Sequence, residues 1–164
     1  MANYPDTPIH DDKAEFSEEV LKGLQEFKER HKYGRETWEE RAAGMAELLK
    51  VLNYAYKTNV TARYIDTRQN HSFMSYYRPA TNEIVIQGKL SIITFLHEFA
   101  HALDWKNTRG HGGEHFAVIF SVSLFKRIYP RAYAKLTADG HKLKTFGKDG
   151  TESKVFMFAQ NVLF

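Results

Sequence analysis

Two histidines four residues apart, with a glutamate directly after the first, constrain this chain more than any other stretch of it: His97-Glu98-Phe99-Ala100-His101. In an α-helix, side chains four apart stand one above the other on one face, so a helix here lets both imidazoles reach a single ion. The Glu98 carboxylate then stands beside the first ligand, where it can take a proton from a water on that ion. This is the H-E-x-x-H arrangement of zinc-dependent peptide hydrolysis. With 8 His among 164 residues, chance produces the motif about once in thirty chains of this composition, so its surroundings have to carry the argument.

Those surroundings read as one helix with two faces. Ser91 is a candidate N-cap, and Ile93, Leu96, Ala100 and Leu103 recur at core-facing spacing. His97, His101 and Asp104 form a second stripe. Asp104 is placed either to hydrogen-bond a ligand imidazole and fix its tautomer, or to serve as a solvated or capping residue near the helix end. A catalytic zinc needs a third protein ligand and one open position. The stretch from Lys106 to Phe116 offers three donors, in the expected order His111, His115, Glu114. His111 leads because the glycines around it let the backbone turn back toward the helix; Glu114 in a first helical turn already has a structural reason to be there, the helix dipole.

The run His97-Glu98-Phe99-Ala100-His101-Ala102-Leu103-Asp104, followed by His111-Gly112-Gly113-Glu114-His115-Phe116, resembles the SprT-like zinc metallopeptidases, the group that includes Spartan-type DNA–protein crosslink proteases. In that family the helix is followed by H-G-x-x-F or H-G-x-x-W, whose histidine is the third ligand. The resemblance implies a zincin fold, His97, His101 and His111 on Zn²⁺, and Glu98 as general base. Phe116 lies five residues after His111 where the family pattern has four, and the gap from His101 to His111 is shorter than usual. The stretch HEFAHALD is also similar, more weakly, to the Mlc titration factor A peptidases and the lethal-factor zincins, in which a glutamate is the third ligand. That second resemblance points to Glu114. The match covers about residues 84 to 120.

A chain of 164 residues with 43% hydrophobic and 14% aromatic side chains is read as one domain, 1–164, with a real core. Residues 1–12 are expected to form an arm and 138–164 a C-terminal hairpin or extension. The absence of cysteine excludes disulfides, thiolate zinc sites and a Cys-rich zinc ribbon. The opening residues Met1 to Asp6 have neither a basic nor an apolar leader pattern, and no run of 18 apolar residues occurs. The expectation is a cytoplasmic protein without a membrane segment, in a bacterial or phage-infected bacterial cell. Residues 1–47 carry 7 Lys/Arg against 12 Asp/Glu, whereas 126–164 carry 8 against 3. A basic C-terminal third of this kind can meet DNA, though solvated surface is its commoner use.

The remaining pattern supports an α+β fold. One helix is expected from about Lys13 to His31, and a second behind Thr37-Trp38-Glu39-Glu40, a capping box. Strand-like runs follow at Val60–Ile65, Ser72–Tyr77 and Glu83–Gln87, giving a small, mostly antiparallel sheet ahead of the metal helix. Glu83–Gln87 is expected to offer a free edge to an extended peptide substrate. His71 reads as a surface turn histidine. A long helix from Glu114 to Tyr129, a short one near Arg131–Thr137 and a hairpin through Lys142–Phe146 and Lys154–Phe158 complete the chain. Tyr129, Tyr133, His141 and Arg109 are candidates to stabilise an oxyanion. The function expected is a zinc metallopeptidase acting on protein or peptide substrates, with Glu98 catalytic. The alternatives are a catalytically silent zincin-fold binding protein and a DNA-associated protein.

Overall fold

In the computed structural model, residues 16–32, 34–66 and 75–138 are described. The arm at 1–12, the Gln69-Asn70-His71 turn, the C-terminal hairpin and most of the basic C-terminal third lie outside them. Two helices come first. Helix α1 (Glu18–Arg30) starts at Ser17, whose hydroxyl accepts from the Val20 amide, and buries Val20, Leu24 and Phe27. Helix α2 (Trp38–Tyr56) starts at Thr37, whose hydroxyl accepts from the Glu40 amide at 3.1 Å. Both caps take up an amide that a helix start leaves without a partner. Helix α2 ends at Lys57 in the left-handed conformation, and the Lys106 ammonium closes that end by donating to the carbonyls of Tyr56 and Lys57.

Three strands follow: β1 (Thr61–Ile65), β2 (Tyr76–Arg78) and β3 (Glu83–Gln87). Their order in the sheet is β1-β3-β2, with β1 parallel to β3 and β2 antiparallel to it. The sheet is therefore mixed rather than mostly antiparallel, and β3 lies at its centre. Glu83–Gln87 has no free edge, because both of its sides are taken by neighbouring strands. Burial had already marked this strand, since Ile84, Val85 and Ile86 are all 0% exposed. Three consecutive buried residues require cover on both faces, as central strands have. The turn from β2 into β3 is set by Asn82 at φ +51, whose side chain accepts from the Tyr77 hydroxyl and donates to the Asn59 carbonyl.

Helix α3 (Ile92–Thr108) runs through the middle of the molecule, and helix α4 (Gly113–Ile128) folds back against it. Helix α5 (Pro130–Ala138) follows at once. The core-facing stripe Ile93, Leu96, Ala100 and Leu103 is buried as the spacing predicts, but so are Phe95, Phe99 and Ala102 on other sides of the helix. A helix buried nearly all round is covered by several elements, here α4, β2 and β3. Its entry is gripped from α2. The Trp38 indole donates to the Gly88 carbonyl and the Arg41 guanidinium to the Leu90 carbonyl, both at 2.8 Å. The turn between β3 and α3 needs such a grip, since Leu90 is a buried non-glycine residue held at φ +55. Ser91 occupies the N-cap position of α3, yet its hydroxyl makes no capping bond. No helix among the described residues is long and apolar enough to cross a membrane.

Candidate metal centre

His97, Glu98 and Asp104 are 2%, 7% and 4% exposed, so α3 carries polar groups deep into the protein. Burying such groups costs free energy unless they are hydrogen-bonded or paired. The helical spacing brings the His97 and His101 Nε2 atoms to 3.2 Å of one another, with ring centroids 4.8 Å apart. The third member of the cluster comes from α4. Glu114 lies with one carboxylate oxygen 2.9 Å from His97 Nε2 and the other 2.7 Å from His101 Nε2.

These three side chains form a candidate metal site, their donor atoms all within 4.8 Å of one another. Their spacing suits zinc. Two donors each about 2.0–2.1 Å from one ion at the tetrahedral angle stand about 3.3 Å apart, close to the 3.2 Å between the two Nε2 atoms. Two imidazoles and one carboxylate are also a donor set of catalytic zinc sites, which leave a fourth position open. Glu114 supplies the open side, its side chain being half exposed while that of His97 is 3% exposed.

The electrostatics follow from this packing. Burial lowers the His97 pKa, and although the Glu114 bond and charge oppose it, the ring stays below the ordinary histidine value. For His101, burial also acts downward, but the Glu114 hydrogen bond and the charges of Glu114, Glu98 and Asp104 outweigh it and raise the pKa. Burial pushes Glu114 upward; the bonds and charges of the two histidines overcome that and hold its carboxyl far below the usual carboxylate range.

Of the three donors considered in the segment after the helix, Glu114 is therefore the one brought to the histidines. His111 is exposed on the bend, where its backbone amide donates to the Thr108 hydroxyl at 3.0 Å. His115 is half-buried on α4, where burial lowers its pKa, and like His111 it is not a member of the cluster.

Asp104 takes the capping role rather than bonding an imidazole, and the helix start it caps is that of α4. Its Oδ1 accepts from the Thr108 hydroxyl at 2.5 Å and the Gly112 amide at 2.9 Å, and its Oδ2 accepts from the Gly113 amide at 2.9 Å. Burial raises its pKa, but these three bonds prevail and lower it. The signal for this role was visible only as an aspartate eight and nine residues ahead of a glycine pair.

None of the oxyanion candidates among the described residues is brought into the cluster. Tyr129 caps the far end of α4, fifteen residues from Glu114 and so about 22 Å along the axis. It stacks on Phe125 under the Lys28 ammonium, and burial raises its pKa. Tyr133 is buried beyond it on α5. The Arg109 guanidinium lies over the Trp105 ring, and His141 is outside the described residues. The arrangement of an HExxH helix, a small mixed sheet and a donor on the next helix is zincin-like. Comparison of the chain with protein families, with curated proteins and with solved structures finds no match.

Proposed function

We propose that this chain is a zinc metallopeptidase whose metal ligands are His97, His101 and Glu114 and whose general base is Glu98. The observation that carries the reading is the meeting of the two Nε2 atoms of the HExxH helix with the Glu114 carboxylate at 2.7 to 2.9 Å. These three residues would hold a zinc ion, which would supply a water of pKa lowered toward about 7 and a polarised carbonyl. The protein's own groups do the rest. Burial favours the neutral His97 imidazole, the form that binds a metal. Glu98, next to His97 and buried, takes the proton of the attacking water and delivers it to the leaving amine. The two resemblances part at the third ligand. A SprT-like site implies His111, whereas lethal-factor and Mlc titration factor A sites use a glutamate, and the placement of Glu114 supports the second pattern.

The substrate side follows from the strand order. With β3 enclosed, the edge nearest the metal helix among the described residues is β2, which packs on α3 as β1 packs on α2. An extended peptide pairing with Tyr76–Arg78 by strand addition would lie beside the metal. The test is Glu98→Gln. It is expected to keep zinc by metal analysis and to lose about 10²–10⁴-fold in peptide turnover. Turnover equal to wild type on any peptide the wild type cuts overturns the reading.

A further inference from the structure

We propose that Asp104 is a positioning residue for the third metal ligand: it fixes where α4 begins and so holds Glu114 against His97 and His101. This rests on the metal-site reading above. Asp104 is 4% exposed, and its oxygens accept from the Gly112 and Gly113 amides, both at 2.9 Å. Gly113 is the first residue of α4 and directly precedes Glu114. A carboxylate on the preceding helix thus takes the place of a local cap at a start where Gly112 has no side chain to offer.

The tether decides how far back the chain returns. Helix α3 continues to Thr108, with Arg109 as its left-handed cap. Were α4 to begin level with Arg109, it would start about 12 Å along the axis from His101. Asp104 is only three residues past His101, about 4.5 Å, and points its side chain back toward the helix N-terminus. Binding the Gly112 and Gly113 amides at that level brings the next side chain, Glu114, within reach of both imidazoles.

The neighbours are fitted to this contact. A Cβ on Gly112 would stand 2.7 Å from Asp104 Oδ1 and 2.7 Å from Phe116 Cβ, so a side chain at 112 would push the bracket apart. The Thr108 hydroxyl donates to Asp104 Oδ1 and accepts from the His111 amide, tying the bend to the same carboxylate. An aspartate beside a zinc site commonly receives the second N–H of a ligand imidazole. Here backbone amides and a threonine fill both oxygens, so Asp104 acts through the ligand on the other helix.

The test is a double-mutant cycle on zinc affinity, measured on the full chain by competition with a chromophoric zinc chelator. Asp104→Ala is expected to weaken zinc binding about 10–100-fold. In the Glu114→Ala background the same change is expected to cost less than about twofold, because nothing remains for Asp104 to position. Asp104→Asn, which keeps one acceptor oxygen but turns an amide group toward a backbone N–H, is expected to fall between wild type and Asp104→Ala. It carries the cycle if melting curves of zinc-free samples show the alanine variant unfolded. Wild-type affinity in a folded Asp104 variant overturns the proposal, as does an equal loss in both backgrounds, which would mean general loosening. Wild-type affinity in Glu114→Ala itself would remove the ligand reading first, and the proposal with it.

Discussion

Two buried polar clusters of similar make-up lie against helix α3, one at its entry and one along its length. The entry cluster joins His31, Glu36 and Arg41; the other joins His97, His101 and Glu114. In the first, the Arg41 guanidinium donates to Glu36 at 2.7 Å and to the Leu90 carbonyl at 2.8 Å, while the His31 ring contacts the second Glu36 oxygen at 2.5 Å. The cation is part of the chain, and the Arg41 and Glu36 side chains are 4% and 5% exposed. In the second, two imidazoles and a carboxylate converge with no arginine or lysine among them, and Glu114 is half exposed. Donor atoms that face one another need a proton or a metal cation between them. The comparison separates a cluster closed by its own guanidinium from a candidate ion site, although residue types alone barely distinguish them.

The sharpest way to break this comparison is Arg41→Ala. It strips the built-in cation from a buried carboxylate and is expected to cost about 3–5 kcal/mol in denaturant unfolding. Replacing Glu36 and Arg41 together by apolar residues of similar volume should recover most of that loss. A loss below about 1 kcal/mol for Arg41→Ala would mean the entry cluster is not closed as described. At the metal cluster, Glu114→Ala is expected to weaken zinc binding by more than about 100-fold, whereas His111→Ala should stay within about twofold. Competition with a chelator reads both, and the reverse ranking would restore His111 as third ligand.

Gly44→Ala tests the entry cluster by packing. A Cβ there would stand 2.2 Å from His31 Nε2, so the ring has to leave its place beside Glu36. Overpacking of about 1–3 kcal/mol should outweigh the roughly 1 kcal/mol that alanine gains over glycine inside a helix. A net gain in stability would show that His31 is not held there.

The smallest expected effect is a proton count. Because the His101 pKa is raised, zinc uptake near neutral pH should release a fraction of one proton from it, read by calorimetry in buffers of different ionisation enthalpy. The sign also fixes stability. A raised histidine stabilises the zinc-free fold fully below its unfolded value of about 6.5 and loses that contribution as pH climbs through the raised value. Zinc uptake near neutral pH that releases no proton would contradict the assignment.

Much of this was legible in the linear chain wherever one helical turn is enough to decide it. The cap at Thr37 and the pairing of His97 with His101 depend on neighbours three or four residues away, and both are present. The third donor was ranked on glycines near His111, which allow a chain to turn but do not say where the turn is pinned. Strand Glu83–Gln87 was recognised as a strand, yet its place in the sheet was not. Whether a strand is central depends on where β1 and β2 come to lie, and in β1 the partner residues stand 22 positions away.

By itself, then, the amino-acid order determined that the chain around His97 forms a helix bearing two imidazoles and a carboxylate, because a 3.6-residue repeat is a local property of the backbone. Only the tertiary structure decided which acidic or imidazole group joins them, since that follows from Asp104 catching the amides of Gly112 and Gly113 across a chain reversal. The same holds for the place of β3 at the centre of the sheet. Contacts between distant segments select one among several arrangements that local geometry permits equally well.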